Sequence, residues 1–356
     1  MATRKALRPF VAVVLLCAAC AGQADAPESL DRAALSQALL DDAAADDEPG
    51  CSAAVGIEGE VVWTGVRGVA DLSTGAGLTP DTPFDIASVS KQFTATAVLL
   101  LVQDDRLTID DTLAQHVAGL PGWAEKVSVA QLMHQTSGIP DYIGLLEDAG
   151  YGYSDRTTNA DAMRVLAKVQ ELDFDPGERF EYSNSNYLLL GEIAQRVTSQ
   201  PLATVLAAEI FVPLGLAMVL DPIGTVSGEA VPYEWSGGEY VPSRSGWEQV
   251  GDGSIKTTPS QLVRWADNYR TGALGGRRLL DAQLAGAVDT DEGTGDRYGA
   301  GINVYADGTL GHDGSWAGFV SDFGISADRR AAVAVSCNTD AQDPTAIAAA
   351  LGELWE

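Results

Sequence analysis

The stretch FDIASVSKQFTATAVLLL, residues 84–101, constrains this chain more than any other. From Phe93 onward it is apolar or small on every side, so it is stable only as a helix enclosed all round by the rest of the chain. Lys91, one of only five lysines in the sequence, stands at the head of this run, three residues after Ser88. On a helix, positions i and i+3 share a face one turn apart. A lysine carried on an apolar helix loses hydration, which disfavours its charged form and lets it take a proton from a nearby hydroxyl. A serine at a helix N-terminus also gains from the helix dipole. Ser90, the neighbouring alternative, points roughly 100° away from Lys91. The same residues fit an N-capping serine and a lysine that snorkels to solvent, so the pair alone leaves both readings open.

Around that helix the patterning places strands at the two ends of the chain and helices between. Residues 29–45 read as a first helix, with Leu35 and Leu39 on one face. Apolar runs at 51–57 and 61–69 flank a Glu-Gly-Glu hairpin signal. Helical patterns follow at 127–135, 159–168, 186–198 and 201–210, broken by Gly/Pro/Asp/Tyr loops at 137–155 and 172–184. Residues 222–254 form a long polar stretch carrying Tyr233, Trp235, Tyr240 and Trp247; a loop of that length inside a compact unit is more often functional than idle. A helix over 258–270, short strands over 309–337 and a closing helix at 344–355 complete the pattern. It predicts one sheet built from both chain ends, with a helical insertion.

The first 26 residues stand apart. Arg4, Lys5 and Arg8 precede a short apolar run from Phe10 to Ala19, a signal-peptide pattern too short to span a membrane. Ala18-Ala19-Cys20 resembles a lipobox, which makes residues 1–19 a lipoprotein-type signal peptide and Cys20 its lipidated end; cleavage after residue 26 is the alternative. Residues 20–48 then read as a tether with the first helix, and 49–356 as one catalytic domain whose helical lobe covers about 110–250. The expected location is the bacterial periplasm or cell envelope, with membrane contact through the lipid anchor alone, and secretion in soluble form is the alternative. The formal net charge of −28 repels phosphate backbones and argues against nucleic-acid binding. His116, His134 and His312 show no metal-ligand spacing and no C-x-x-C occurs, so neither metal nor cofactor is expected. No obligate protein partner is indicated.

Two later segments add chemistry. In DPGERFEYSNSNY, residues 175–187, a Pro-Gly turn and a short extended piece place Tyr182 and Asn184 on a loop, a phenol and a carboxamide able to face one cleft. In GHDGSWAGF, residues 311–319, glycines at 311, 314 and 318 let the backbone approach a ligand, and the N–H after Gly314 is placed to bind an oxyanion. Each segment also fits a plain structural role. Lys256-Thr257-Thr258 imitates a Lys-Thr-Gly motif but lacks its glycine, and no Gly-x-Ser-x-Gly is present.

Ser-x-x-Lys, then Tyr-x-Asn, then a basic residue-x-Gly on a late strand is an ordered set. With LMHQTSGIPDY and GDGSIKTTPSQLVRW, it makes the chain from about residue 50 onward resemble the serine β-lactamase and penicillin-binding-protein superfamily. The likeness is greatest to the class C-like branch of D-Ala carboxypeptidases, D-aminopeptidases and esterases. It implies an α+β fold, a five-stranded antiparallel sheet flanked by helices plus an all-helical lobe. It implies Ser88 as nucleophile, Lys91 and Tyr182 sharing its proton, and Asn184, His312, Gly314 and Ser315 binding substrate. The backbone N–H groups of Ser88 and Ser315 would form the oxyanion hole. His134 would pack rather than react. In this fold the first and last strands are neighbours, so the likeness also implies that Cys51 and Cys337 can pair as a disulfide.

His312 stands where typical β-lactamases carry lysine, which makes β-lactam turnover weak and leaves acyl transfer intact. The expected activity is hydrolysis of a small amide or ester through an acyl-serine, with a D-amino-acid peptide as substrate. A carboxylesterase or weak β-lactamase of the same fold is the alternative. A penicillin-recognising or catalytically silent binding protein is the non-enzyme reading.

Overall fold

A computed structural model describes residues 25–355 apart from 225, 291 and 292. Cys20 and the signal-peptide reading lie outside the described residues. Among the described residues no single helix is long and apolar enough to cross a membrane.

The sheet is antiparallel and has eight strands, which corrects the expected five. Five long strands carry it: β1 (Cys51–Ile57), β2 (Glu60–Arg67), β3 (Leu310–Trp316), β4 (Phe319–Ile325) and β5 (Ala331–Cys337). They run in the order β3-β4-β5-β1-β2. Three two-residue strands, Asn303–Val304, Arg297–Tyr298 and Val288–Asp289, extend the β3 side. Those added strands are too short to show a period-2 pattern, and only pairing along the edge of β3 creates them.

Alternation along the strands splits the core in two. Cys51, Ala53 and Val55 of β1 and Val333, Val335 and Cys337 of β5 pack against α1 (Asp25–Ala43) and the C-terminal helix, α6 (Pro344–Trp355). Ala54, Ala332, Ala334 and Phe323 point the other way, into the larger core with α2 (Lys91–Gln103) and α5 (Pro259–Thr271). The first helix therefore packs onto the sheet. Leu40 is fully buried, and the Trp355 indole donates to Ser36 Oγ at 2.9 Å. Cys51 and Cys337 face each other in the β1–β5 register and are disulfide-bonded.

Short helices between residues 113 and 214 form the second lobe, including α3 (Tyr142–Asp148) and α4 (Asn184–Thr198). The polar stretch at 222–254 is not one loop. Tyr233–Ser236 and Glu239–Pro242 pair as a hairpin whose turn, Gly237-Gly238, takes positive φ at both positions, as tight hairpins require.

α2 lies at the junction of the lobes. Every residue from Lys91 to Leu99 is buried, which is why its sequence shows no polar face.

Candidate active site

The chain reaches Ser88 through a strained turn. Phe84 and Asp85 pair with Thr257 and Lys256, and Ile86 donates to the Ile255 carbonyl. Ala87 then takes a left-handed φ of 47°, costly for a residue with a Cβ. Asp85 Oδ1 holds it there by accepting the Ala87 N–H at 2.8 Å. Residues Ala87–Ser90 form a 3₁₀ turn that runs straight into α2. Ser88 is thus presented at the front of the helix rather than within it. Ser90 is buried, and its hydroxyl is committed to the Ile255 N–H, so it is not the reactive alternative.

Lys91 is fully buried and does not snorkel. Its three protons have three acceptors: Ser88 Oγ at 2.9 Å, Asn184 Oδ1 at 2.8 Å and the Asp252 carbonyl at 2.7 Å. An unpartnered buried ammonium would cost several kcal/mol; this cradle offsets most of that. Burial pulls the Lys91 pKa down to about 8, while the carboxylates of Asp252, Asp141 and Asp313 act in the opposite sense. Near neutral pH both protonation states are within easy reach. The ammonium also lies 5.0 Å from the Tyr182 ring centre and 5.8 Å from that of Tyr187.

Tyr182 stands in the extended piece before α4, whereas Asn184 is the first residue of that helix and not on a loop. The Asn184 side chain does not face the cleft unengaged, as a pure substrate-binding amide would. Its oxygen accepts from Lys91, and its Nδ2 donates to Asp141 Oδ2 at 2.8 Å. Asp141 also caps α3 through the Ile143 N–H and accepts the Asn184 N–H. Tyr182 is half exposed as a residue, yet desolvation about its hydroxyl and the neighbouring Tyr298 push its pKa well above the usual tyrosine value; the Ser88 hydroxyl works the other way. The phenol therefore keeps its proton at rest.

β3 supplies the third wall. Its pairing with Asn303–Val304 ends at Gly311, so beyond that point its outer edge faces the 3₁₀ turn instead of another strand. Gly314 permits the approach: a Cβ there would fall 2.5 Å from the Ile86 carbonyl and 3.0 Å from the Ser88 nitrogen. Ser315 and Ser88 consequently border one cleft of about 460 Å³, walled by Tyr142, Ile143, Trp247 and Trp316. Trp247 is the aromatic of the 222–254 stretch that reaches this cleft. Tyr233 is buried, with its hydroxyl on the Leu72 N–H, and Trp235 is half exposed and meets Tyr240 edge-to-face.

His312 does not serve as a cation. It is 2% exposed; its Nδ1 faces the Asp313 carbonyl at 2.6 Å and its Nε2 faces the Tyr298 hydroxyl at 3.1 Å. A carbonyl only accepts, so Nδ1 carries the proton and Nε2 accepts from the phenol. Burial and the nearby Lys91 ammonium hold its pKa down to about 4. On the far side of Tyr182 and His312 lies a second cavity of about 730 Å³, bordered by Phe180, Tyr298, Tyr305, Asp296 and Asp313. His134 packs against Gly286 and Lys256 pairs with Glu229; neither lines these two cavities.

Sequence reasoning missed Asp141, Asp252, Tyr142 and Tyr298 as parts of the site. Asp141 lies in a capping pattern ahead of a helix, a signal of local structure only. Asp252 acts on Lys91 through its backbone carbonyl, for which no residue-type signal exists, while its carboxylate accepts the Tyr142 hydroxyl at 2.9 Å.

A serine hydroxyl bonded to a buried, low-pKa lysine, a protonated tyrosine beside them and a glycine-thinned strand edge opposite form one candidate active site. The chain belongs to the Beta-lactamase family, whose model matches residues 35–354. It is 28% identical over 291 residues to a D-aminopeptidase of Brucella anthropi, covering 79% of this chain and 54% of that one. The chain thus spans about half the length of the curated relatives it matches first. Among solved structures it is similar to the octameric penicillin-binding protein homologue from Pyrococcus abyssi, with TM-score 0.78, 24% identity and 93% and 77% of the two chains covered. It is also similar to the D-amino acid amidase from Ochrobactrum anthropi SV3 complexed with L-phenylalanine amide, with TM-score 0.76, 24% identity and 91% and 96% covered. At that identity the structural likeness speaks for the fold.

Proposed function

We propose that the protein hydrolyses amides of D-amino acids or short D-amino-acid peptides through an acyl-enzyme on Ser88. The observation that carries this reading is the 2.9 Å contact between Lys91 Nζ and Ser88 Oγ inside a cradle that lowers the lysine's proton affinity. In its neutral form Lys91 takes the Ser88 proton as Oγ attacks the substrate carbonyl. The backbone N–H groups of Ser88 and Ser315 hold the resulting oxyanion. Tyr182, protonated at rest, relays a proton to the leaving amine and recovers one through Lys91. Water then cleaves the acyl-serine by the reverse path. Asn184 acts mainly as a positioning residue for Lys91. The D-aminopeptidase relatives support the substrate class.

The test is turnover of D-aminoacyl p-nitroanilides by wild type and Ser88→Ala, with intact-mass detection of a fluorophosphonate adduct. Loss of both turnover and adduct in Ser88→Ala is expected; turnover that survives the substitution overturns the reading.

Export with lipid anchoring through Cys20 belongs to the same proposal. Its support is the basic-then-apolar run before Cys20, together with a Cys51–Cys337 disulfide, which persists in oxidising compartments. Metabolic labelling with a fatty acid, compared with Cys20→Ser, checks it.

A further inference from the structure

Ala87 and Ser254 both carry a Cβ, yet both take left-handed backbone conformations, with φ of 47° and 72°. They lie on the two segments that hold the proposed reacting groups. Ala87 precedes Ser88, whose N–H is one of the two proposed oxyanion donors. Ser254 follows closely on Asp252, whose carbonyl accepts from Lys91. Such conformations cost energy and persist only where the surroundings hold them.

One carboxylate serves both. Asp85 is buried; its Oδ1 accepts the Ala87 N–H at 2.8 Å, and the Ser254 N–H also bonds to the carboxylate. Around it the two segments are joined backbone to backbone. Asp85 pairs with Lys256 in register, and Ile86 donates to the Ile255 carbonyl. The buried carboxylate also has a counter-charge. Lys256, from the Lys-Thr-Thr sequence, is buried and acts on Asp85 electrostatically. Its ammonium pairs with Glu229 at 2.9 Å and donates to the Gly224 carbonyl at 2.6 Å. Asp85, Lys256 and Glu229 border a separate cavity of about 430 Å³, and none of the three lines the cleft of Ser88. Asp85 can therefore reach the chemistry only through the backbone it holds.

We infer that Asp85 is a positioning residue for the nucleophile: by clamping the Ala87 and Ser254 N–H groups it fixes the direction of the Ser88 N–H and of the Asp252 carbonyl. One side chain thus aims both an oxyanion donor and part of the Lys91 cradle. A donor aimed before the reaction needs no reorganisation when charge develops on the substrate oxygen. The inference rests on the proposed acyl-serine chemistry and adds to it the group that holds the strained turn ready.

The test reads the rate at which a fluorophosphonate labels Ser88 in the full chain, well below the melting point of each variant. Labelling joins Oγ to phosphorus and expels fluoride, so it needs no choice of substrate. Asp85→Ala should slow it by about 10- to 100-fold, part of the value of an oxyanion donor. Asp85→Asn keeps one oxygen for the Ala87 N–H and should label at least about threefold faster than Asp85→Ala. Adding Ala87→Gly to Asp85→Ala removes the penalty of the left-handed φ and should recover at least about threefold. A residue needed for stability alone would lower the melting point without this order of rates. Equal rates in wild type and Asp85→Ala overturn the inference. So does an Asp85→Asn protein, or a double variant, no faster than Asp85→Ala. Should Asp85→Ala fail to fold, labelling of the double variant within about tenfold of wild type sustains the inference, and slower labelling ends it. A wild type that is not labelled at Ser88 overturns the acyl-serine reading and the inference with it, whereas equal rates on a labelled wild type overturn the inference alone.

Discussion

Asn184 joins Lys91 to Asp141: its Oδ1 lies 2.8 Å from the Lys91 ammonium, and its Nδ2 lies 2.8 Å from Asp141 Oδ2. The carboxylate thus orients the lysine without touching it, through an amide that cannot flip without losing both bonds. Asp141→Ala should lower kcat by about 10- to 100-fold, the value of one charged hydrogen bond, with KM changed far less. The same substitution removes the α3 cap, so thermal denaturation should show a loss of about 1 kcal/mol alongside. Steady-state kinetics and a melting curve on one variant separate the two effects.

The pH profile tests which group takes the Ser88 proton. Lys91 is held down to about 8, whereas Tyr182 is held well above the ordinary tyrosine value. A base must be neutral to act, so kcat/KM should rise about tenfold per pH unit below that value and level off above about pH 8. Lys91→Arg keeps a positive charge but never sheds it, and should remove both the limb and at least about 10³-fold of the activity. A limb that persists in Lys91→Arg would assign the base elsewhere.

Gly314→Ala probes the approach of β3 to the nucleophile turn. The added methyl would sit 2.5 Å from the Ile86 carbonyl, and backbone cannot swing aside as a side-chain tip does. The strand has to retreat, which costs about 1–3 kcal/mol of stability and widens the gap between the Ser88 and Ser315 N–H groups. Turnover should fall by about 10²-fold or more, as for loss of an oxyanion donor. Gly324→Ala on the neighbouring strand, where a methyl meets nothing within 4 Å, is the matched control for stability and rate.

Reduction of Cys51–Cys337 should lower stability without touching chemistry. The bond links β1 to β5 on the face covered by α1 and α6, while the proposed reacting groups lie on the α2 side. Closing a chain segment this long is worth about 2–4 kcal/mol. The Cys51→Ser, Cys337→Ser pair should melt several degrees lower and keep its kcat at 25 °C, as calorimetry and initial rates would show.

By itself the sequence determined which candidate residues could form one site and in what order: Ser88 with Lys91, then Tyr182, then the glycine-thinned strand at 311–318. It did so because local spacing decides which side chains share a turn, and because an all-apolar helix has nowhere to lie but the core. The apolar runs at 51–57 and within 309–337 were legible as strands, but their sorting onto two cores was not, because both faces of β1 and β5 are buried. The tertiary structure alone decided what those residues experience. Asp141 and Asp252 reach Lys91 from 50 and 161 positions away, one through an amide and one through a carbonyl. His312, a basic residue on paper, is neutral because the chain folds it away from water, between its own neighbour's carbonyl and Tyr298. Charge and hydrogen-bond partnership depend on burial and on contacts between distant segments, and neither quantity is written into the spacing of residues along the chain.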